Sequence, residues 1–292
     1  MPLFIGCPVW SFKGWVGNFY PMGTKPTDYL REYSRRLTTI EGNTTFYALP
    51  ESKTIASWVN DTPDRFQFCP KLPKAISHAG KLSENIKKAR EFVHRMQELG
   101  SRLGPMFLQL SPAFSPDFFE ELVGFLEAWP VDVRLAVEVR HADWFQSINH
   151  TKLTRTLEQL GMTQVILDTR PIRTLAPRLF PGSDAYDFLL NDLSAVERST
   201  DLTTLKKSFT FLRFVGHPRR QFNSTFLEAW IDRLTPRLAG GEDVYVFCHC
   251  PDPRFAPFIS RLFYRMAAGR IPLPALPWDD LETSTYQQGE LL

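Results

Sequence analysis

Two glutamates, Glu41 and Glu138, each sit near the end of a short apolar run, TTIEGN and VRLAVEVR. Carboxylates placed this way can divide acid and base roles when their surroundings separate their pKa values. Alternate residues of a strand share a face, so Glu41 has Asn43 beside it and Glu138 has Arg140. Lys71 ends a third run, Gln109 lies in a fourth and Arg213 in another. Lone charges are costly to bury, so these groups must be paired, hydrated or turned to a cavity. Lys71, Arg140 and Arg213 together suit a substrate bearing phosphate or carboxylate. Anion binding or a structural ion pair is the expected role of Lys71, with Schiff-base chemistry as the less favoured alternative. Tyr47, His141, Trp144, Asp168 and His217 end or follow these runs and complete the expected substrate-binding set. Glu41 and Glu138 are the expected catalytic pair.

The elements that must position these residues are legible in the pattern. Eight apolar runs, at 3–7, 38–43, 65–71, 105–110, 133–140, 163–169, 210–216 and 243–250, alternate with amphipathic stretches. In 82–99 the apolar residues Leu82, Ile86, Ala89, Phe92, Met96 and Leu99 recur at helical spacing. Ser115 followed by Pro116 opens another helix. Further helices are marked by Leu153, Leu157 and Leu160, by Leu227, Trp230 and Leu234, and by Ile259, Leu262 and Met266, with weaker patterns near 25–36 and 51–60. Such alternation predicts parallel strands joined by right-handed crossovers. Eight units in this length fit an eight-stranded parallel (βα)8 TIM barrel, whose chemistry gathers at the C-terminal ends of the strands. No Gly-rich phosphate loop follows the first run, which disfavours an open doubly wound sheet. The expected organisation is a single barrel domain over 1–270 and a C-terminal surface tail over 271–292. The long connection 170–209 is expected to be an insertion or lid.

Composition narrows the classes. A net charge of +2 gives no electrostatic case for a dedicated nucleic-acid or membrane binder, although nucleic acid stays open as a substrate. No apolar run is long enough to span a bilayer, and the start MPLFIGCPVW has no signal-peptide design. Four cysteines in 292 residues make no disulfide framework, so a cytoplasmic protein with reduced thiols is expected. The sequence names no cofactor, and the expected partner is a small polar, anionic or carbohydrate-like substrate, with a non-catalytic barrel that binds a metabolite or a protein partner as an alternative. A rival reading, a metal-dependent phosphoester hydrolase, places a metal among Glu138, His141, Asp168, His217 and His249, but there is no HExxH and no His-x-His in the first run. Cys7, Cys248 and Cys250 read as buried thiols. Trp10, Trp15, Phe19, Tyr20, Tyr47 and Trp144 read as packing more than as stacking platforms.

The motifs IGCPVWSFKGWVGNFYP, TIEGNTTFYALP, FQFCPKLPKAISH, LGPMFLQLSPAF, LAVEVRHADWF, LRFVGH and VYVFCHC resemble those of the YecE-like family, a domain family of unknown function. The resemblance spans most of 3–265 and implies a TIM-barrel fold without implying an activity. One departure stands out. Members tend to end the eighth strand in an Asn-rich run, where this chain has Cys248-His249-Cys250.

Overall fold

The computed structural model describes residues 3–173 and 209–281. Most of the expected lid, 174–208, lies outside the described residues. Each of the eight apolar runs contains strand: β1 Leu3–Cys7, β2 Thr39–Gly42, β3 Gln67–Pro70, β4 Met106–Gln109, β5 Leu135–Glu138, β6 Thr163–Gln164 with β7 Ile166–Asp168, β8 Phe209–Val215 and β9 Asp243–His249. Between them run α1 Tyr29–Ser34, α2 Ser52–Asp61, α3 Lys74–Ser77, α4 Ile86–Met96, α5 Phe119–Glu127, α6 Ser147–Gln159, α7 Arg170–Arg173, α8 Ser224–Ala239 and α9 Ala256–Ala268. Ser115 caps as expected, its hydroxyl accepting the Asp117 amide at 3.3 Å.

All ladders are parallel. They fall into a six-stranded sheet, β3-β2-β1-β9-β8-β7, and a three-stranded sheet, β4-β5-β6, where the sequence predicts one continuous eight-stranded ring. The divisions have local causes. Pro70 and Pro105 lack amide hydrogens where β3 and β4 approach, so only single bridges, Phe68 to Leu103 and Lys71 to Phe107, join them. The sixth run changes partner around Val165, pairing with β5 before it and β8 after it. Gly6 allows β1 its close approach to β2, since a Cβ there would lie 2.1 Å from the Thr39 carbonyl oxygen.

The strands present two faces. One packs on the helices through an extensive apolar core that includes Ile5, Ile40, Leu108, Val137, Leu212, Trp230 and Phe263. The other encloses a smaller cluster of Cys69, Phe107, Ala136, Val165, Phe209, Phe211, Tyr245 and Phe247, with Phe4 against it. Phe4 stacks on Tyr245 at 4.5 Å, and Phe211 packs on Phe247 at 4.8 Å. The expected aromatic packing is found at Trp15, Phe19 and Tyr20, which are buried, with Phe19 and Tyr20 each meeting Trp15 edge to face. The tail differs from the expected surface segment at its beginning. Leu276 and Trp278 are buried, Trp278 lies 4.9 Å from Phe19, and Asp279 pairs with Arg261 and Arg265 of α9. Among the described residues no helix is long and apolar enough to cross a membrane.

Candidate functional site

Two residues beyond five members of the inner apolar cluster, the same face carries a polar group. Lys71 follows Cys69, Gln109 follows Phe107, Glu138 follows Ala136, Arg213 follows Phe211 and His249 follows Phe247. Glu41 of β2 holds the corresponding place after Thr39. The period of two therefore builds a charged layer directly on an aromatic one.

Arg213 joins the two glutamates. Its Nε and Nη2 donate to Glu41 Oε2 and Oε1 at 2.9 and 3.0 Å, and its Nη1 donates to Glu138 Oε2 at 2.6 Å. Glu138 Oε1 accepts from Arg140 Nε at 2.6 Å and Gln109 Nε2 at 2.7 Å. Gln109 Oε1 in turn accepts from Lys71 Nζ at 2.7 Å. On the other side, Asn43 Nδ2 donates to Glu41 Oε1 at 2.8 Å and to the Pro8 carbonyl at 3.0 Å. His249 Nε2 lies 2.9 Å from Glu41 Oε2. Glu41 is fully buried and Glu138 nearly so.

Burial alone would raise both carboxyls. The Arg213 charge overrides it, aided by His249 at Glu41 and by Arg140 and Lys71 at Glu138. Glu138 is held at about 2 and Glu41 well below the ordinary range. The Arg213 guanidinium, disfavoured by burial, is held charged by the same two glutamates. Lys71 moves the other way. Burial, then the like charge of Arg213, brings its ammonium down to about 8 against the opposing pull of Glu138 and Glu41. The Phe46 ring lies 4.0 Å from Lys71 Nζ.

Above this layer opens a cavity of about 630 Å³ lined by Asn43, Phe46, Tyr47, Lys71, Lys74, His78, Gln109, Leu110, Pro112, Arg140 and Arg213. Six of the expected site residues, Asn43, Tyr47, Lys71, Gln109, Arg140 and Arg213, thus share one wall, with Glu41 and Glu138 beneath it. Tyr47 stands at the rim, 83% exposed.

Four expected residues go elsewhere. Trp144 is buried, its Nε1 donating to the Phe114 carbonyl at 2.7 Å. His141 turns back on its own chain, its Nδ1 accepting the Asp143 amide at 3.2 Å. Asp168 faces the helix layer, where it takes Trp230 Nε1 at 2.6 Å and pairs with Arg170 at 2.7 Å. The backbone amide and carbonyl of His217 bind the Asn223 side chain at 2.7 and 2.8 Å, and its ring packs against Phe222. The residues of the rival metal reading therefore disperse, and among the described residues no three His, Cys, Asp or Glu side chains converge as ligands. Four residues beyond the expected set matter here: His249 in the network, and Phe46, Lys74 and His78 in the wall. Phe46 ends the 3-10 turn after β2 and His78 follows α3, and their rings meet at 5.4 Å. Burial, then Lys71, lowers the His78 ring from its ordinary value.

A family model described as "Protein of unknown function DUF72" matches residues 4–280. The chain belongs to the DUF72 family. It is 32% identical over 280 residues to the UPF0759 protein YecE of Escherichia coli K12, covering 94% of this chain and 97% of that protein. It is 26% identical over 272 residues to the UPF0759 protein YunF of Bacillus subtilis 168, covering 84% and 87%. Two crystal structures of DUF72 proteins share the fold. EF0366 of Enterococcus faecalis V583 has a TM-score of 0.65 at 16% identity, covering 94% of this chain and 98% of that one. TM1631 of Thermotoga maritima has a TM-score of 0.63 at 22% identity, covering 91% and 99%. The resemblance read from the motifs is therefore sound at the level of the family.

Proposed function

We propose that this DUF72 protein is an enzyme acting on a small anionic substrate bound over the charged layer. One observation carries the reading: among the described residues the cavity wall holds Lys71, Lys74, Arg140 and Arg213 and no carboxylate, with Glu41 and Glu138 lying under it. A pocket so lined favours a carboxylate or phosphate group, which planar guanidinium donors bind in a directed way. The residues share the work differently from the sequence expectation. Glu138, at about 2, and Glu41 are anions throughout the physiological range. They hold Arg213 and Arg140 in place and balance charge, whereas a general acid or base works best with a pKa near the working pH. Lys71, at about 8, meets that condition. Tyr47 and Phe46 offer apolar surface to the rest of the substrate.

We further read the two sheets as arcs of one (βα)8 ring. The single bridges between β3 and β4, and the exchange of partners along the sixth run, support this. The charged layer then occupies the mouth where such barrels place their chemistry.

Calorimetric titration with inorganic phosphate and with small carboxylates tests the site. Binding that weakens at least tenfold in Arg140→Ala is expected. Affinity equal in the two proteins, or no binding by either, overturns the assignment.

A further inference from the structure

We propose that Lys71 is a carbonyl-condensing amine, forming an imine with an aldehyde or ketone substrate that also carries a carboxylate or phosphate. This rests on the anion-site reading above and names the substrate class of that site.

The first argument is the company Lys71 keeps. Its hydrogen bond goes to the amide oxygen of Gln109, and among the described residues it makes no ion pair. A carboxylate partner would fix the charged form, whereas an amide oxygen accepts from an ammonium or a neutral amine alike. Gln109 cannot turn round to change this, because its Nε2 is committed to Glu138 Oε1 at 2.7 Å. Gln109 thus separates the lysine from the carboxylate that would otherwise neutralise it.

The second argument is placement. Lys71 is almost wholly buried yet contributes to the cavity wall. The Phe46 ring covers one side of the amine at 4.0 Å. Arg140 and Arg213 line the same cavity, so an acid group held there brings a neighbouring carbonyl carbon toward Nζ. The lowered pKa agrees with this geometry. At about 8, roughly one amine in ten is neutral at pH 7, against about one in several thousand at the ordinary value of 10.5.

The step balances without an oxidant or reductant. The amine lone pair forms a C–N bond to the carbonyl carbon while the C=O π pair moves to oxygen. Oxygen takes one amine hydrogen to give a carbinolamine, then leaves as water with the second. The product is a C=N bond, with one water released. When that imine is protonated, Glu138 and Glu41 lie below to offset its charge. It can then accept electrons from an adjacent C–H or C–C bond.

The test incubates the whole chain with glyoxylate, pyruvate or dihydroxyacetone phosphate in separate reactions, adds sodium cyanoborohydride, and reads intact mass and peptide maps. One adduct per chain is expected on Lys71, formed at least tenfold faster than on any other lysine and slowed by inorganic phosphate. It should be absent in Lys71→Arg, which keeps the charge and is checked for its fold by thermal melting. Equal labelling of exposed lysines, or single-site labelling that persists in Lys71→Arg, overturns the proposal. If phosphate binds but none of the three carbonyl acids labels Lys71, the imine falls and the anion site stands. If phosphate does not bind either, both fall.

Discussion

Arg213 grips Glu41 with two nitrogens and Glu138 with the third, so one guanidinium spans β8, β2 and β5. Two buried carboxylates on different strands are thereby held by a single cation. Without Arg213 both carboxylates lose their shared partner, and Glu41 keeps only His249 and Asn43 while Glu138 keeps Arg140 and Gln109.

Replacing Arg213 with Met should therefore cost about 3–5 kcal/mol, the usual range for breaking a buried pair from one side. Urea unfolding measures it. A loss below about 1 kcal/mol would mean that water already solvates the glutamates.

Acid should unfold the protein through the same residues. Glu138 has a folded value of about 2 against an ordinary 4.5, and Glu41 is also depressed. A depressed carboxylate stabilises fully above its unfolded value, and that stability is lost as pH falls through the folded one. Stability should thus decline from about pH 5 toward pH 2, with Glu138 contributing on the order of 3 kcal/mol. Melting curves across this window, compared with Glu138→Gln, should show a shallower decline in the variant.

Lys71 contributes a penalty where Glu138 contributes stability, but its pH slope has the same sign. Its folded value of about 8 lies below the ordinary 10.5, so the unfolded chain binds more protons between the two. Its burial penalty is complete below pH 8 and relieved as pH rises toward 10.5. Arg213, Arg140, Glu138, Glu41 and His78 all bear on this titration. The buried thiols Cys7, Cys69 and Cys250, pushed up to about 12, act the other way above pH 9. The difference between wild type and Lys71→Met isolates the lysine, and it should move in favour of the wild type above pH 8. A flat difference rules out the lowered value.

Trp278 offers a test far from the cavity. It packs on Phe19 and Phe258, with the Arg261 guanidinium 4.4 Å from its ring. Trp278→Ala should cost about 3 kcal/mol, as large buried aromatics do. Chemical denaturation gives the value, and no loss would restore the segment to a surface tail.

The strands and the major helices were legible because their periods are strong and their ends carry Pro, Gly or a capping Ser. Convergence of Glu41, Lys71, Gln109, Glu138, Arg140 and Arg213 followed from the same alternation. Asp168 shows where that reasoning went astray. Val165 belongs to the inner cluster, so a residue three places on faces the helices, and Asp168 meets Trp230 there. His141 and His217 lie just past strand ends, where the chain turns and the period of two no longer governs direction. Phe46 and His78 were missed because their contact joins two turns that sequence spacing does not relate. The value of Lys71 was hidden for another reason: it depends on burial and on the charge of Arg213, which the fold brings near from β8.

The cavity has two kinds of wall. Its floor comes from strand residues that lock one another through Arg213, while Phe46, Tyr47, Lys74 and His78 come from the turns and short helix above. Exchanging Tyr47, Lys74 or His78 leaves Glu41, Arg213, Glu138 and the hydrogen bonds among them untouched, whereas Phe46 also covers Lys71. Ligand preference can therefore be redesigned, or drift in evolution, by altering a few positions over an unaltered electrostatic foundation.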